Sequence, residues 1–360
     1  MNNTWNPSDN VDKTSALWLK RLRNVDGIPK CFQITLPTSH LHTRLSISTS
    51  SFNCTMSRQI KNVALAGASG SLGSVILQTL VRTGRFNATV LSRRALSDVP
   101  SGVVVQVVDF ESVSALTEAL KGQDALIDAT WASDSSLAIR LTDAAVAARV
   151  YRIIPSEYGV DPANAKARSL AVFQGKANAL EHLQKLADDG KLTWTAISNN
   201  SFLDWGLCTK FLAIDLENSK ISYLNGGNMV VPNTTIASVA TAVANVLSKP
   251  QETKNRICYI YNRQMTQREL AALAKRALGD QGWEEEDLDM NQVFEKAMAQ
   301  LQAGQADWQV MGDIVRYSIS TPGYVEKLEK TDNELLGVEE MSDEEVIELI
   351  KEIANEKTPA

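Results

Sequence analysis

Short apolar runs alternate with segments of helical apolar spacing over most of the chain between residues 61 and 261. The run Val63–Ala66 is typical of a buried strand, and apolar positions then recur every three or four residues from Leu72 to Val81, as on one helix face. Gly84 provides a C-cap for that helix. Repetition of the pattern predicts strands at 63–66, 87–94, 103–108, 124–130, 151–154, 192–198 and 256–261.

Helices are predicted between these strands. The apolar spacing places them at 72–83, 113–122, 135–149, 165–189 and 236–247. Strands that alternate with helices form a parallel sheet covered on both faces. The predicted fold class is therefore α/β, a Rossmann doubly wound parallel sheet of about seven strands, with ligands outside the carboxyl ends of the strands.

Beyond residue 201 the pattern is less regular and predicts a smaller, mainly helical C-terminal substrate lobe. Capping boxes at 266–269 and 342–345 open two helices, and the stretch 283–317 has amphipathic helical spacing with few strand features. We assign residues 56–265 to the sheet domain and 266–360 to the lobe, with 202–231 contributing to the lobe.

The first 55 residues differ from the rest of the chain. They are rich in Ser, Thr and Asn, carry six basic and three acidic side chains, and show no sustained periodicity, which predicts a disordered, dispensable extension. A basic, hydroxyl-rich terminus is also typical of an organellar presequence, although Asp9, Asp12 and Asp26 are unusual in one. A third interpretation takes Met56 as the natural start, directly before the first strand.

The composition argues against several classes of protein. The apolar content of 44% is ordinary for a globular chain, and no apolar run approaches the ~20 residues that cross a bilayer. A net charge of -6 gives no support for nucleic-acid binding. Because the four cysteines lack CxxC spacing and the histidines are few, we expect no metal site, no disulfide framework and a reducing, cytoplasmic environment.

A glycine-rich turn joins the first strand to the first helix. Gly67 allows a tight turn, Gly70 lets the backbone approach phosphates, and Gly73 lets the helix pack closely on the strand. The start of the helix then faces the anion. The turn predicts a dinucleotide pyrophosphate site, formed by Gly67, Ser69, Gly70, Ser71, Leu72 and Gly73. Glycines that serve packing alone are the alternative.

The end of the second strand indicates which dinucleotide binds. A carboxylate there would bind a ribose 2′-hydroxyl, whereas this chain has Ser92, Arg93 and Arg94. The planar guanidinium makes bidentate bonds to phosphate, so the pair favours NADP(H) over NAD(H), with a solvated basic turn as the alternative. Asp109 and Phe110, which end the third strand, are expected to border the adenine, and Phe110 equally fits the core.

Four features together resemble the NmrA-like family of atypical short-chain dehydrogenases, in its isoflavone-reductase-like and phenylcoumaran-benzylic-ether-reductase-like branch. They are the glycine turn, the Ser92-Arg93-Arg94 strand end, the segment 152–159 (RIIPSEYG) and Lys176 in the sequence VFQGK. The similarity covers about residues 60–263. It implies an extended NADPH with its nicotinamide near Thr130, Trp131, Pro155 and Ser156, and it implies that Lys176 is both catalytic and cofactor-binding.

The chain departs from the usual short-chain dehydrogenase pattern four residues before Lys176. A tyrosine is usual there, and this chain has Val172. Tyr158 lies further upstream and is interpreted equally as a catalytic acid that reaches the site from the loop after the fifth strand and as a structural aromatic. Glu157 fits a capping or ion-pair role. The exit of the sixth strand predicts a substrate pocket lined by Asn199, Asn200, Phe202 and Trp205.

These expectations favour an NADPH-dependent reductase of a small aromatic or polyketide-like molecule, acting by carbonyl, enone or benzylic reduction with Lys176 managing the proton. A non-catalytic NAD(P)-sensing regulator that binds a protein partner is the alternative, and it has no need of Lys176. An isomerase or dehydratase that retains the nucleotide also stays open. The sequence leaves open a monomer or a homodimer, and organellar targeting by residues 1–55.

Overall fold

The computed structural model describes residues 58–131 and 135–357, and the predictions for residues 1–55 lie outside this range. In chain order the strands are β1 (Asn62–Ala66), β2 (Asn87–Ser92), β3 (Val104–Val107), β4 (Ala125–Asp128), β5 (Arg152–Ile154), β6 (Thr193–Ser198), β7 (Ser201–Phe202), β8 (Ile214–Asp215), β9 (Lys220–Leu224), β10 (Val230–Thr234), β11 (Arg256–Tyr259), β12 (Arg263–Thr266) and β13 (Glu284–Leu288). The helices are α1 (Ser71–Thr83), α2 (Val113–Leu120), α3 (Ser136–Ala147), α4 (Ala165–Arg168), α5 (Ala171–Asp188), α6 (Leu203–Cys208), α7 (Ile236–Ser248), α8 (Gln267–Leu278), α9 (Met290–Gln302), α10 (Trp308–Ser320), α11 (Asn333–Leu336) and α12 (Asp343–Lys357). Among the described residues, no helix is long and apolar enough to cross a membrane.

Seven parallel strands form the central sheet, in the order β11-β6-β5-β4-β1-β2-β3. The chain starts at β1, winds outward to β3, and then returns across β1 to continue in the other direction from β4. The strand order therefore reverses between β1 and β4, which is the place where ligands bind in doubly wound sheets. The predicted fold class is confirmed.

Alternate side chains of β1 supply the two hydrophobic cores of the sheet. Val63 and Leu65 pack on one face with α1 and α7, in the cluster that we call the first core. Ala64 and Ala66 face the other side, where residues of α2, α3 and α5 form the second core. Because successive strand residues point to opposite faces, a strand buried on both sides reads as the continuous apolar run seen in the sequence.

The single helix predicted over 165–189 is wrong in one respect, because the structure divides it into α4 and α5. Leu170 at the break is extended (φ -69°, ψ 137°) and buried. Asn164 caps the start of α4 by accepting from the Ala167 amide, and the Gln174 side chain donates to the Arg168 carbonyl just before the break. Arg168, the last residue of α4, pairs with Glu157 in the loop after β5.

Two three-stranded sheets and the helices from α8 onward form the smaller part, with strand orders β12-β10-β7 and β13-β9-β8. The prediction of few strand features over 283–317 is wrong at β13, which pairs in parallel with β9. This strand has the sequence EEEDL and lacks apolar alternation. It is held instead by side chains of its neighbours, including hydrogen bonds from Ser222 to Glu286 (2.7 Å) and from Tyr223 to Glu285 (2.6 Å).

Arg152 is a fully buried side chain at the start of β5. Its Nε donates to Thr193 Oγ1 at 2.8 Å, and Nη1 donates to Thr195 Oγ1 at 2.7 Å and to Thr253 Oγ1 at 3.1 Å. Nη2 donates to the Pro250 carbonyl oxygen at 2.6 Å. The guanidinium therefore joins β5, β6 and the turn before β11, and neutral oxygens satisfy it in place of a carboxylate.

We expect Arg152→Lys to lower the free energy of unfolding by about 2–4 kcal/mol, because an ammonium cannot reproduce the fork and leaves buried hydroxyls without a donor. Chemical denaturation monitored by circular dichroism measures the change. The exposed Arg149 provides the control, since Arg149→Lys should change stability by less than about 0.5 kcal/mol. Equal losses of stability at the two positions would show that the hydrogen bonds of the buried Arg152 guanidinium add nothing to the free energy of unfolding.

Candidate active site

The glycine turn fits between β1, α1 and the end of β4 with no room for side chains at two positions. Gly67 has φ +87°, and a Cβ there would lie 2.4 Å from the Ala129 carbonyl oxygen. A Cβ on Gly73 would lie 2.1 Å from the Gly67 carbonyl oxygen. A Cβ on Gly70 would meet only that same oxygen, at 3.4 Å, so its outer side is open. The close contacts at Gly67 and Gly73 agree with the predicted tight turn and close helix packing, and the open side of Gly70 leaves room for the predicted approach of a phosphate.

The start of α1 leaves its first amides without a side-chain cap. Gly70 is the N-cap and offers no side chain to the first turn, which also contains no acidic residue. Ser69 is exposed, and Ser71 and Leu72 are half-buried beside it. The amides of the first turn and the positive end of the helix dipole are therefore directed at the space above Gly70.

Arg93 and Arg94 extend from the end of β2 into solvent next to this turn. Ala66 is the register partner of Leu91, so Gly67 and Ser92 follow on neighbouring strands. Within the described residues neither arginine forms an ion pair. Ser92 Oγ accepts from the Arg94 amide at 3.3 Å.

Asp109 and Phe110 lie after β3, two strands from the turn. Asp109 is exposed, and its Oδ1 accepts from the Glu111 amide at 2.9 Å. The Phe110 ring packs against the second core, and its carbonyl accepts from Arg140 Nε at 2.9 Å. The core alternative for Phe110 is therefore the better supported one, and adenine contact stays a prediction.

A cleft opens beyond β4 and β5, on the face of the sheet covered by α3 and α5. It encloses about 600 Å³, part of which is open to solvent. Its polar lining includes Asp128, Thr130, Ser156, Glu157 and Lys176. Ser156 Oγ donates to the Thr130 carbonyl oxygen at 2.6 Å, and Thr130 donates to Asp128 Oδ1 from its amide (2.9 Å) and its hydroxyl (2.6 Å). The predicted residues Thr130, Pro155, Ser156 and Lys176 thus lie together.

Lys176 reaches this cleft from the first turns of α5. Burial lowers the pKa of its ammonium, Glu157 and Asp128 act in the opposite direction, and Arg168 lowers it further. Within the described residues the ammonium forms no ion pair. A half-buried cation without a direct partner is a suitable donor to a bound molecule.

Two buried carboxylates surround Lys176. Burial raises the pKa of Asp128, although the hydrogen bonds from Thr130 and the charge of Lys176 oppose this rise. Burial also raises the pKa of Glu157, against the charges of Lys176 and Arg168. Glu157 Oε2 is paired with Arg168 Nη2 at 2.5 Å, so the ion-pair interpretation of Glu157 matches the structure.

Tyr158 does not line the cleft that contains Lys176. Its ring belongs to the first core, on the other face of the sheet, and burial raises the pKa of its hydroxyl. The Tyr158 hydroxyl has no hydrogen-bond partner among the described residues. The structure therefore does not bring the predicted catalytic pair together, and the position favours the structural interpretation of Tyr158.

The predicted pocket residues after β6 divide into two groups. Asn199 and Asn200 are buried, Asn200 has φ +51°, and Asn199 Oδ1 has no partner among the described residues. An unpaired buried amide oxygen at a strand end fits a residue that contacts a ligand. Phe202 packs against the first core. Trp205 instead faces an aromatic cluster.

This cluster brings together indoles from three distant parts of the chain. The Trp131 and Trp308 rings are 6.1 Å apart, as are Trp205 and Trp308, and Trp205 lies 5.4 Å from Phe211. Trp131 is 47% exposed and Trp308 57% exposed, which is unusual for the largest aromatic side chain. Sequence reasoning missed Trp308, whose only mark is an N-capping Asp307 in an amphipathic segment.

Comparisons with known proteins identify the class of protein to which this sheet and its glycine turn belong. A family model described as NAD(P)H-binding matches residues 67–250. The chain is 31% identical to oxidoreductase aprR of Aspergillus flavus over 79% of this chain and 97% of that protein. It is 25% identical to an NmrA-like family domain-containing oxidoreductase of Gibberella moniliformis over 66% of this chain and 84% of that protein.

A crystal structure of isoflavone reductase shares the fold, with a TM-score of 0.64 and 18% identity over 80% of this chain and 99% of that one. The chain belongs to the NmrA-like family of NAD(P)H-binding oxidoreductases. The predicted family and the dinucleotide cofactor are therefore confirmed.

We expect Gly73→Ala and Gly70→Ala to separate folding from cofactor binding. Gly73→Ala should lower the free energy of unfolding by more than about 2 kcal/mol, because its methyl group would collide with the Gly67 carbonyl. Gly70→Ala should leave stability within about 1 kcal/mol, since φ -81° and ψ 168° suit alanine, yet raise the NADPH Kd at least about tenfold by filling the open side.

Thermal unfolding and calorimetric titration measure the two effects. Unchanged NADPH affinity in a folded Gly70→Ala protein would mean that the pyrophosphate does not lie against this turn.

Proposed function

We propose that the protein is an NADPH-dependent reductase of a small aromatic or polyketide-like molecule, acting on a carbonyl, an enone or a benzylic carbon. The observation that carries the proposal is Lys176, a cation that forms no ion pair with any described residue and lies in a cleft beside Thr130 and Ser156. This cleft follows the anion-binding turn along the same edge of the sheet, so a dinucleotide held at the turn can extend into it.

The residues present fit this cofactor. The turn from Gly67 to Gly73 would hold the pyrophosphate, and Arg93 with Arg94 would hold the 2′-phosphate that distinguishes NADPH from NADH. Thr130, Pro155 and Ser156 would border the nicotinamide, which supplies the hydride when it is bound. Lys176 would orient the nearby ribose hydroxyls and donate a hydrogen bond or a proton to the substrate oxygen that gains negative charge.

The exposed aromatic cluster supports the substrate class. Trp131 follows Thr130 directly, so the cluster starts at the wall of the lysine cleft. Helix α10, which carries Trp308, contacts α5, which carries Lys176. Flat ring systems bind well against indole faces and edges. A substrate held there would present its reacting carbon toward the cleft.

A sensing regulator is less well supported than an enzyme. Such a protein needs the glycine turn but has no use for a free ammonium beside the nicotinamide. The relatives in Aspergillus and Gibberella carry names of oxidoreductases.

Removal of the arginine pair tests the choice of cofactor. We expect the double variant Arg93→Ala/Arg94→Ala to raise the NADPH Kd by about 10–100-fold and to leave the NADH Kd within a factor of about three, because only NADPH carries the 2′-phosphate. Isothermal titration calorimetry measures both constants, with exposed Arg149→Ala as the matched charge control. Equal loss of NADH and NADPH affinity would reject the assignment of these arginines to the 2′-phosphate.

Replacement of Lys176 tests the chemistry. We expect Lys176→Met to lower kcat by about 10²–10⁴-fold against a panel of aromatic carbonyls and enones. Exposed Lys185→Met on the same helix is the control and should retain full activity. A fully active Lys176→Met enzyme would refute the proposed role.

The pH dependence follows from the same role. Only the ammonium form donates a proton, so kcat should fall as pH rises through the Lys176 pKa, which burial places below the usual range of lysine. Lys176→Arg keeps the positive charge at every accessible pH, so the residual kcat of this variant should no longer fall as pH rises. Stopped-flow oxidation of NADPH across pH 6–10 measures the profile.

A further inference from the structure

Arg168 and Glu157 form a buried ion pair at the edge of the lysine cleft. Both side chains are almost fully buried, and Nη2 of Arg168 lies 2.5 Å from Oε2 of Glu157. Arg168 Nε also donates to the Pro162 carbonyl oxygen at 3.3 Å. The backbone of Arg168 is fixed too, because the side-chain amide of Gln174 donates to the Arg168 carbonyl at the break between α4 and α5. The guanidinium is therefore held firmly in one place.

Lys176 and Arg168 compete for the same carboxylate. Glu157 and Lys176 line one cleft, and each acts electrostatically on the other. Only Arg168 makes the direct contact, whereas Lys176 has no ion pair among the described residues. In a buried site a guanidinium has the advantage, because its donors are set in a rigid fork and it is less strongly hydrated than an ammonium.

We propose that Arg168 is a positioning residue that holds Glu157 away from Lys176 and so keeps the Lys176 ammonium available to the cofactor ribose and the substrate. The proposal rests on the function proposed above for Lys176. Without Arg168, Glu157 would be a buried carboxylate with Lys176 as its nearest cation, and a direct ion pair would form between them. The ammonium would then be bound to Glu157 instead of the reacting oxygen.

The charged groups on α3 and α10, two helices that contact α5, already have partners. From α3, Arg140 pairs with Glu111 and Asp143 with His182, and from α10, Asp313 pairs with Arg316. Asp128 is the remaining carboxylate in the cleft, and Thr130 satisfies it with two hydrogen bonds. The charge of Lys176 therefore depends mainly on its burial, on Glu157, on Arg168 and on Asp128, in that order.

The test compares the full-length protein with Arg168→Gln, Arg168→Lys, Glu157→Gln and the double variant Arg168→Gln/Glu157→Gln. The first readout is the pH midpoint for acetylation of Lys176 by a trace of acetic anhydride, located by mass spectrometry without added nucleotide. Labelling of exposed Lys185 on the same helix is the internal control. The second readout is kcat with saturating NADPH.

We expect Arg168→Gln to raise the Lys176 midpoint by at least about one pH unit, since a positive charge is lost and a direct carboxylate partner is gained. Its kcat should fall about tenfold or more, with the NADPH Kd little changed. Arg168→Lys keeps the charge and should stay near the original midpoint. Glu157→Gln should lower the midpoint. The double variant should recover both the midpoint and kcat, because no carboxylate is left to capture Lys176.

An unchanged or lowered midpoint in Arg168→Gln overturns the proposal, and so does a double variant that fails to recover. If Arg168→Gln alone does not fold, the double variant is used instead, because its two neutral glutamines leave no lone buried charge. Its acetylation midpoint for Lys176 then decides the question. A double-variant midpoint within about half a pH unit of the original supports the proposal, whereas a drop of more than about one unit means that Glu157 already binds Lys176 directly.

Failure of the proposed function gives a different result. If Lys176→Met is fully active, Lys176 is not the catalytic donor, yet the acetylation midpoints still report whether Arg168 controls the contact between Glu157 and Lys176.

Discussion

The carbonyl of Ala129 approaches the Cα of Gly67 so closely that no side chain fits between the ends of β1 and β4. This contact lies where the strand order of the sheet reverses, and a second close approach, of Gly73 to the Gly67 carbonyl, holds the start of α1 against the turn. The anion site above Gly70 and the lysine cleft beyond β4 are consequently neighbours on one edge. A larger residue at Gly67 would separate the two halves of the proposed cofactor site, which therefore depends on this one steric limit.

Electrostatic balance determines the second half of the site. Asp128 and Glu157 contribute two buried carboxylates, Arg168 contributes a buried guanidinium, and Lys176 contributes a half-buried ammonium. Three of them are committed to short bonds with Arg168, Glu157 or Thr130, and only Lys176 is not. Burying such a group is costly, which is typical of sites where reactivity is maintained at the expense of stability.

The fold could be predicted from the sequence where local pattern and tertiary role agree. The strands of the main sheet are buried on both faces, so apolar runs such as Val63–Ala66 identify them, and the glycine spacing identifies the turn. The strand β13 was missed because cross-strand bonds replace apolar alternation in it. Trp308 and Arg168 escaped notice because their meaning comes from partners distant in sequence or from a helix break. The side of the sheet on which Tyr158 lies depends on the path of the loop after β5, which no motif encodes.

The acidic strand β13 has a consequence for how molecules of this protein meet each other. It is the outermost strand of its sheet, with backbone groups on one side that no other described strand pairs. Glu284, Glu285, Glu286 and Asp287 follow one another along this edge. Lys275, Lys220 and Arg268 pair with Glu285, Glu286 and Asp287, so charges of both signs lie beside this edge. Charged side chains along an open sheet edge disfavour the addition of a strand from a second molecule.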